Sequence, residues 1–336
     1  MKVITCASFY GTGSSAITDM LSECKDVYSL GNYEYRFLQD PHGISDLEYN
    51  VVENNHRHNT SNAIKEYLKY IKTLNGMAYG NSYKIFGDKL NEFTKEFVAS
   101  ITELGVNTWW HIDRVNRGPL FIIVDRLYSI IKRIIHGEIN SEVKYSLLQG
   151  REPAYYTSID EEIFLKCVKK YTDNLFSCVN KDNKPYVLVD QLVPPSNTMR
   201  YTRYLNNIKV VVVDRDPRDI YILEKKVWKW GVIPCEDVRD YVEWFKITRK
   251  KATSIGDDPE KVLRIKFEDL IYKYDEERKK VLDFVGISLQ SKFNQKSQFN
   301  PDISINNTAV YKDYPEEIEN IKYIEHSLPE YLYDFS

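Results

Sequence analysis

Lys2-Val3-Ile4-Thr5-Cys6-Ala7, then Ser8-Phe9-Tyr10-Gly11-Thr12-Gly13-Ser14-Ser15, then Ala16-Ile17-Thr18-Asp19-Met20-Leu21, is the stretch that decides how this chain folds. The first six residues are β-prone and mostly apolar, the pattern of a strand buried in a parallel sheet. Gly11 and Gly13 permit the positive φ angles and close backbone approach that a phosphate cradle requires. Ser14 or Ser15 is placed to cap a helix whose Ile17, Met20 and Leu21 share one face, so the helix dipole and free N–H groups point at an anion. An ordinary strand-to-helix turn also uses glycines, so the loop needs support from elsewhere in the chain.

With 336 residues, 43% hydrophobic and 28% charged, the chain can bury the core of one large α/β domain or of two smaller ones. A net charge of −3 with interspersed acids and bases gives no sequence-wide footprint for nucleic acid. Cys6, Cys24, Cys167, Cys178 and Cys235 are odd in number and form no Cys-x-x-Cys pair. They read as buried thiols of a reducing compartment, with neither a disulfide framework nor a metal site expected. An apolar strand from residue 2 leaves no room for a signal peptide, and no apolar run approaches the ~20 residues that cross a bilayer. A cytoplasmic protein without a membrane span is the expectation, and the oligomeric state is left open.

Outward from the opening stretch, Val27–Leu30 reads as a second strand running into the polar, aromatic segment Gly31-Asn32-Tyr33-Glu34-Tyr35-Arg36. Residues 40–60 are rich in turn formers. Ser61–Ile71, Phe93–Leu104, Phe121–Ile135 and Ile159–Val179 carry apolar residues at helical spacing. Pro185–Asp190 and the β-branched run Ile208–Val213 read as further strands. Asp214-Arg215-Asp216-Pro217-Arg218-Asp219 then opens a helix, with proline where a first turn tolerates it. Val262–Phe267 is another strand, followed by a helix to about Val285 that Gly286 closes. This alternation predicts an α/β fold with a mostly parallel central sheet flanked by helices. A single domain over 1–336 is expected, with a largely helical insertion over 61–180 shaping an acceptor cleft.

Two anion-binding turns at strand ends, SFYGTGSSA and VVVVDRDPRDIY, followed by VLRIKFEDLI and a late Val-Gly-Ile, together resemble the sulfotransferase family. The resemblance spans residues 1–35 and about 185–312. It implies a P-loop-like α/β sheet and transfer of a sulfuryl group from 3′-phosphoadenosine 5′-phosphosulfate (PAPS) to an acceptor hydroxyl, with no metal. On this resemblance Tyr10, Gly11, Thr12, Gly13, Ser14 and Ser15 hold the 5′ phosphosulfate through N–H and O–H donors. Arg215 takes the 3′ phosphate, with a fork that matches a phosphate monoester; its alternative is an ion pair with Asp216 or Asp219. Lys312, in the segment Asn306–Lys312, resembles part of a final cofactor-contacting loop. Two departures stand out: a loop lysine of the family is Gly11 here, and a serine eight residues after the 3′-phosphate arginine is Leu223. Arg218, Lys225 and Lys226 are the cations available to compensate, and Arg218 is counted with the cofactor-binding set.

Sulfuryl transfer needs a base for the acceptor proton, in-line geometry and positive charge on the leaving phosphate. In glycan sulfotransferases the base is typically a glutamate soon after the second strand, which Glu34 matches; this points to a saccharide acceptor. Asp190, ending a strand, is the second candidate base. Arg36, His42 and Lys89 are candidate acceptor contacts, and His56 and His58 are further histidines of the same loop region. Trp109-Trp110 and Trp228/Trp230 read as core or as ligand platforms. The Tyr-rich tail Tyr323–Tyr333 reads as a packed helix. Two competing functions remain: a P-loop kinase-like phosphotransferase, which normally needs the Gly-Lys-Ser/Thr that Gly13-Ser14-Ser15 lacks, and a nucleotide- or glycan-binding protein of the same fold without turnover.

Overall fold

The structure, a computed structural model, describes residues 1–76 and 82–335. Residues 77–81, inside the expected helical insertion, lie outside the described residues. Seven strands occur among the described residues: β1 (Lys2–Ser8), β2 (Val27–Glu34), β3 (Leu104–Asn107), β4 (Pro153–Tyr156), β5 (Tyr186–Asp190), β6 (Ile208–Asp214) and β7 (Val262–Lys266). Five of them form one sheet in the order β2-β5-β1-β6-β7, and every neighbouring pair is parallel. This is the parallel central sheet flanked by helices that the alternation of patterns implied.

The chain divides into two compact units: Met1–Asp40 with Ser82–Gly87 and Thr172–Ser336, and Pro41–Asn81 with Asp88–Tyr171. The first unit holds the parallel sheet. Its central strands are buried because their side chains are apolar on both faces: Ile4, Cys6, Leu188, Val211 and Val213 on one side, and Val187, Val189, Val210 and Val212 on the other, are all enclosed. The helix after β1, α1 (Ser14–Ser22), lays Ala16, Ile17, Met20 and Leu21 on that surface, together with Val281, Leu282 and Val285 from the helix Tyr274–Val285. Gly286, at φ +80, ends the latter helix as the sequence suggested. The segment Ser82–Phe86 joins this unit through Tyr83 and Phe86, whose rings lie 5.3 and 6.0 Å from Tyr35.

The second unit is mainly helical, with long helices at Arg57–Leu74, Lys89–Ser100 and Gly118–Ile135. It also contains an antiparallel pair, β3 against β4, that the helical reading of Phe93–Leu104 did not foresee. A further correction concerns the tail: the helix ends at Ser327 and only a short turn, Pro329–Tyr331, follows.

The connections locate the crevice. From β1 the chain runs to the β2–β5 side of the sheet, and from β6 it runs to β7 on the other side. Loops leaving the carboxyl ends of β1 and β6 therefore diverge, and in an open parallel sheet that divergence is where a ligand fits.

Candidate functional site

A cavity of about 940 Å³ lies at the carboxyl ends of the sheet strands, and every residue lining it belongs to the first unit. Its floor is the β1–α1 turn. Gly11 sits at φ +70 and Gly13 at φ +94, and Gly13 is itself the residue preceding α1, which no side chain caps. The expected serine cap is therefore absent. Ser14 lies inside the first turn, and its Oγ, like that of Ser8, accepts a hydrogen bond from Gln191 Nε2 (2.9 and 2.6 Å). Ala16 N turns back to Gly13 O (3.1 Å), and with no side chain capping the helix the N–H groups of Ser14 and Ser15 are the first-turn donors that an anion could use.

Thr12 does a different job from its neighbours. Completely buried, its Oγ1 accepts from Phe9 N (3.1 Å) and donates to Val213 O (2.6 Å), fastening the turn to β6. Tyr10, Gly11, Gly13, Ser14 and Ser15 line the cavity, whereas Thr12 does not.

Arg215 enters the same cavity from the end of β6. Its guanidinium reaches Gly11 O with Nη1 (3.3 Å) and Asn307 O with Nη2, and it lies over the Phe267 ring at 4.7 Å. Nε is buried with no hydrogen-bond partner, in a side chain only 5% exposed. Burial lowers the pKa of this guanidinium from its ordinary value, opposed by the charges of Asp219, Glu268 and Asp216. The anticipated alternative of a direct ion pair is not what holds it: Asp216 is taken by Arg218 (2.7 Å), and Asp219 accepts from Ala309 N and Tyr311 N (2.8 and 3.2 Å). Behind β6, Arg249 grips Asp214 with two bonds (2.7 and 3.0 Å) and steadies the strand end.

The other proposed cations lie elsewhere. Arg218 is bound to Asp216, to Glu325 (2.8 Å) and to Tyr333 O (3.0 Å), under the Tyr311 ring. Lys225 pairs with Glu317 and Tyr221, and Lys226 with Glu316 and Glu317. Lys312 is exposed, with its ammonium 5.4 Å from the Phe335 ring. None of these four lines the cavity; the C-terminal loop reaches it through Ser304 and Asn307 instead. The lining cations are Arg36 and Arg215.

The structure gives the Gly11 departure a steric reason. A Cβ at position 11 would stand 2.6 Å from Trp228 Cζ3, so a lysine there would collide with an indole that is itself stacked on Trp230 at 5.1 Å. Leu223 is likewise committed: it is buried in an apolar cluster with Tyr221, Ile222 and Phe245. Trp228 and Trp230 both line the cavity, while Trp109 and Trp110 belong to the second unit.

At the β2–β5 edge the sheet pairs Glu34 directly with Asp190. Glu34 is open to solvent (side chain 56% exposed) and 3.6 Å from Arg36, whose Nε donates to Asp40 (2.8 Å). Asp190 is 5% exposed and accepts from Thr18 Oγ1 (3.2 Å). Burial, with a smaller push from Glu34, raises its pKa to about 7. Glu34, Arg36 and Asp190 all line the cavity. His42 and Lys89 belong to the second unit, where His42 N donates to Asp46 (2.8 Å) and Lys89 pairs with Glu92 (2.7 Å).

The Asp190 shift carries a stability prediction. The unfolded carboxyl releases its proton near the ordinary value of 3.8, while the folded one holds it to about 7. The folded state therefore binds more protons across that window, and unfolding free energy falls as pH rises through it. Glu268 and Asp219, raised by burial to about 7 and about 6, act with the same sign. Asp190→Asn should make the decline between pH ~4 and ~7 shallower in urea titrations; an unchanged slope would contradict the assignment.

Residues missed in the sequence are those whose role is contact. Gln191 has a left-handed backbone (φ +54) and ties Ser8 to Ser14, Phe267 packs against Gly13, and Glu224 braces the Trp228–Trp230 turn through Gly231 N (2.6 Å). Only the positioning of Gln191 directly after a strand hinted at any of this.

No protein-family model matches the sequence, and no curated protein matches it. Among solved structures, the chain is similar to a sulfotransferase domain from the curacin biosynthetic pathway, at 12% identity and a TM-score of 0.40, over 89% of this chain and 79% of that one.

Proposed function

We propose that this chain moves a sulfuryl group from PAPS to an acceptor hydroxyl, on a saccharide. The observation that carries the reading is convergence: the glycine turn at the start of α1 and the guanidinium of Arg215 line one cavity, whose other edge carries Glu34 and Asp190. A bisphosphorylated nucleotide has two anionic ends, and these two strand-end features are chemically suited to one each.

In this reading the N–H groups of Gly13, Ser14 and Ser15 hold the 5′ end, and Arg215 exchanges its two carbonyl partners for the 3′ phosphate. The acceptor oxygen attacks sulfur, the bond from sulfur to the bridging oxygen breaks, and the bisphosphate leaves with that electron pair. Glu34, hydrated and exposed, takes the acceptor proton. Arg36 holds Glu34 toward the cavity and supplies the second lining cation in place of the absent lysine. Asp190, whose burial favours its protonated form, is the weaker base of the two and leaves that role to Glu34.

The test is label transfer from sulfur-labelled PAPS to a panel of saccharides and phenols. Label is expected on saccharide hydroxyls, and Glu34→Gln should cut turnover by about 10²- to 10⁴-fold while leaving bisphosphate binding intact. Binding without transfer to any acceptor would reduce the protein to a nucleotide binder, and full turnover in Glu34→Gln would remove its role as base.

A further inference from the structure

The helix Gly118–Ile135 is built inside out. Its polar side faces its own unit: Asp125, 1% exposed, pairs with Arg114 (3.0 Å) and accepts from Ser146 Oγ and Leu147 N (3.0 and 2.6 Å). Ser129 Oγ accepts from Tyr145 N (3.2 Å), and Arg133 binds the carbonyls of Glu138 and Ser141 (3.2 and 2.9 Å). The opposite side carries Leu120, Ile123, Leu127, Ile131 and Ile134, each 54–73% exposed. Steps of three and four residues keep these side chains on one stripe, which runs about 21 Å, roughly four turns, from Leu120 to Ile134.

We propose that this stripe is the contact between two copies of the chain, packed as antiparallel helices about a two-fold axis. Seam spacing of this kind is what one helix offers another, and a two-fold axis lets a single stripe cover itself. The stripe holds no charged side chain to oppose self-pairing. With Val124, Ile130 and Ile135 beside the five, eight half-exposed side chains giving up about 60 Å² each supply roughly 500 Å² per copy. The pair then buries on the order of 1,000 Å², the least a specific interface needs, so the dimer is a weak, reversible one. A membrane surface fits less well. An interfacial helix offers a face rich in basic residues to headgroups, whereas the polar side of this helix is spent on Arg114, Ser146, Leu147, Tyr145 and the carbonyls of Glu138 and Ser141, and of its basic residues Arg126 is exposed while Lys132 and Arg133 are half-buried.

Sedimentation equilibrium of the full chain at roughly 1–100 µM, a range that brackets a micromolar dissociation constant, tests the proposal. The expected mass is twice 39.6 kDa, returning to the single-chain value in Leu127→Glu with an unchanged thermal melt. Ile303→Glu, at an isoleucine 67% exposed in the other unit, should keep the doubled mass. A single-chain mass for the native protein at every concentration, a doubled mass that survives Leu127→Glu, or flotation of single chains with anionic vesicles would each overturn it.

Discussion

Arg215→Lys is expected to weaken adenosine 3′,5′-bisphosphate binding by roughly 30- to 150-fold, about 2–3 kcal/mol, while leaving the fold standing. The positive charge is kept, so Asp219 and Glu268 retain a cation beside them. What disappears is the fork: a lysine offers a compact charge where a phosphate monoester takes two parallel N–H bonds. Arg215→Ala should remove at least as much affinity and also cost stability, because it deletes the contacts to Gly11 O, Asn307 O and the Phe267 ring. Calorimetric titration reads the affinity and a thermal melt reads the fold. Native affinity in Arg215→Lys would mean that the guanidinium serves the protein and not the ligand.

Gly13→Ala should damage the fold and the cavity together. At φ +94 an L side chain is strained by about 1–2 kcal/mol. The added Cβ would also sit 2.6 Å from Phe267 Cδ2, so the ring or the turn must shift, at a further cost of about 1–3 kcal/mol. A combined loss of about 2–5 kcal/mol lowers the melting temperature by roughly 5–15 °C in a unit of this size. Because Phe267 lies beneath the Arg215 guanidinium, the same shift disturbs both anion-facing features, and bisphosphate binding should fall with stability. A melt within a degree or two of the native one would contradict the packing described.

The parallel sheet was legible because its strands are continuous apolar runs; Ile208–Val213 admits no other reading. The antiparallel pair of Leu104–Asn107 with Pro153–Tyr156 was not, because its first strand is exposed throughout and pairs with a distant segment. In the cavity, Gly11, Gly13 and Arg215 announced themselves through backbone freedom and charge at strand ends. The split between Arg215 and Arg218 did not: both sit in one acidic motif, and only the fold shows that Asp216 takes Arg218 and leaves Arg215 to the cavity. Thr12 looked like its neighbours in the turn, yet its hydroxyl is consumed by Phe9 and Val213. What a side chain at position 11 would meet is legible only in the fold, where the Trp228 ring lies on Gly11.

Calorimetric titration of the native chain with adenosine 3′,5′-bisphosphate, run beside ATP, tests most directly whether the turn at Gly13 and the guanidinium of Arg215 grip one doubly phosphorylated adenosine. The account predicts saturable one-to-one binding of the bisphosphate, with ATP weaker because it presents no 3′ phosphate to Arg215. ATP binding as tightly or more tightly, or no binding of either, would contradict it.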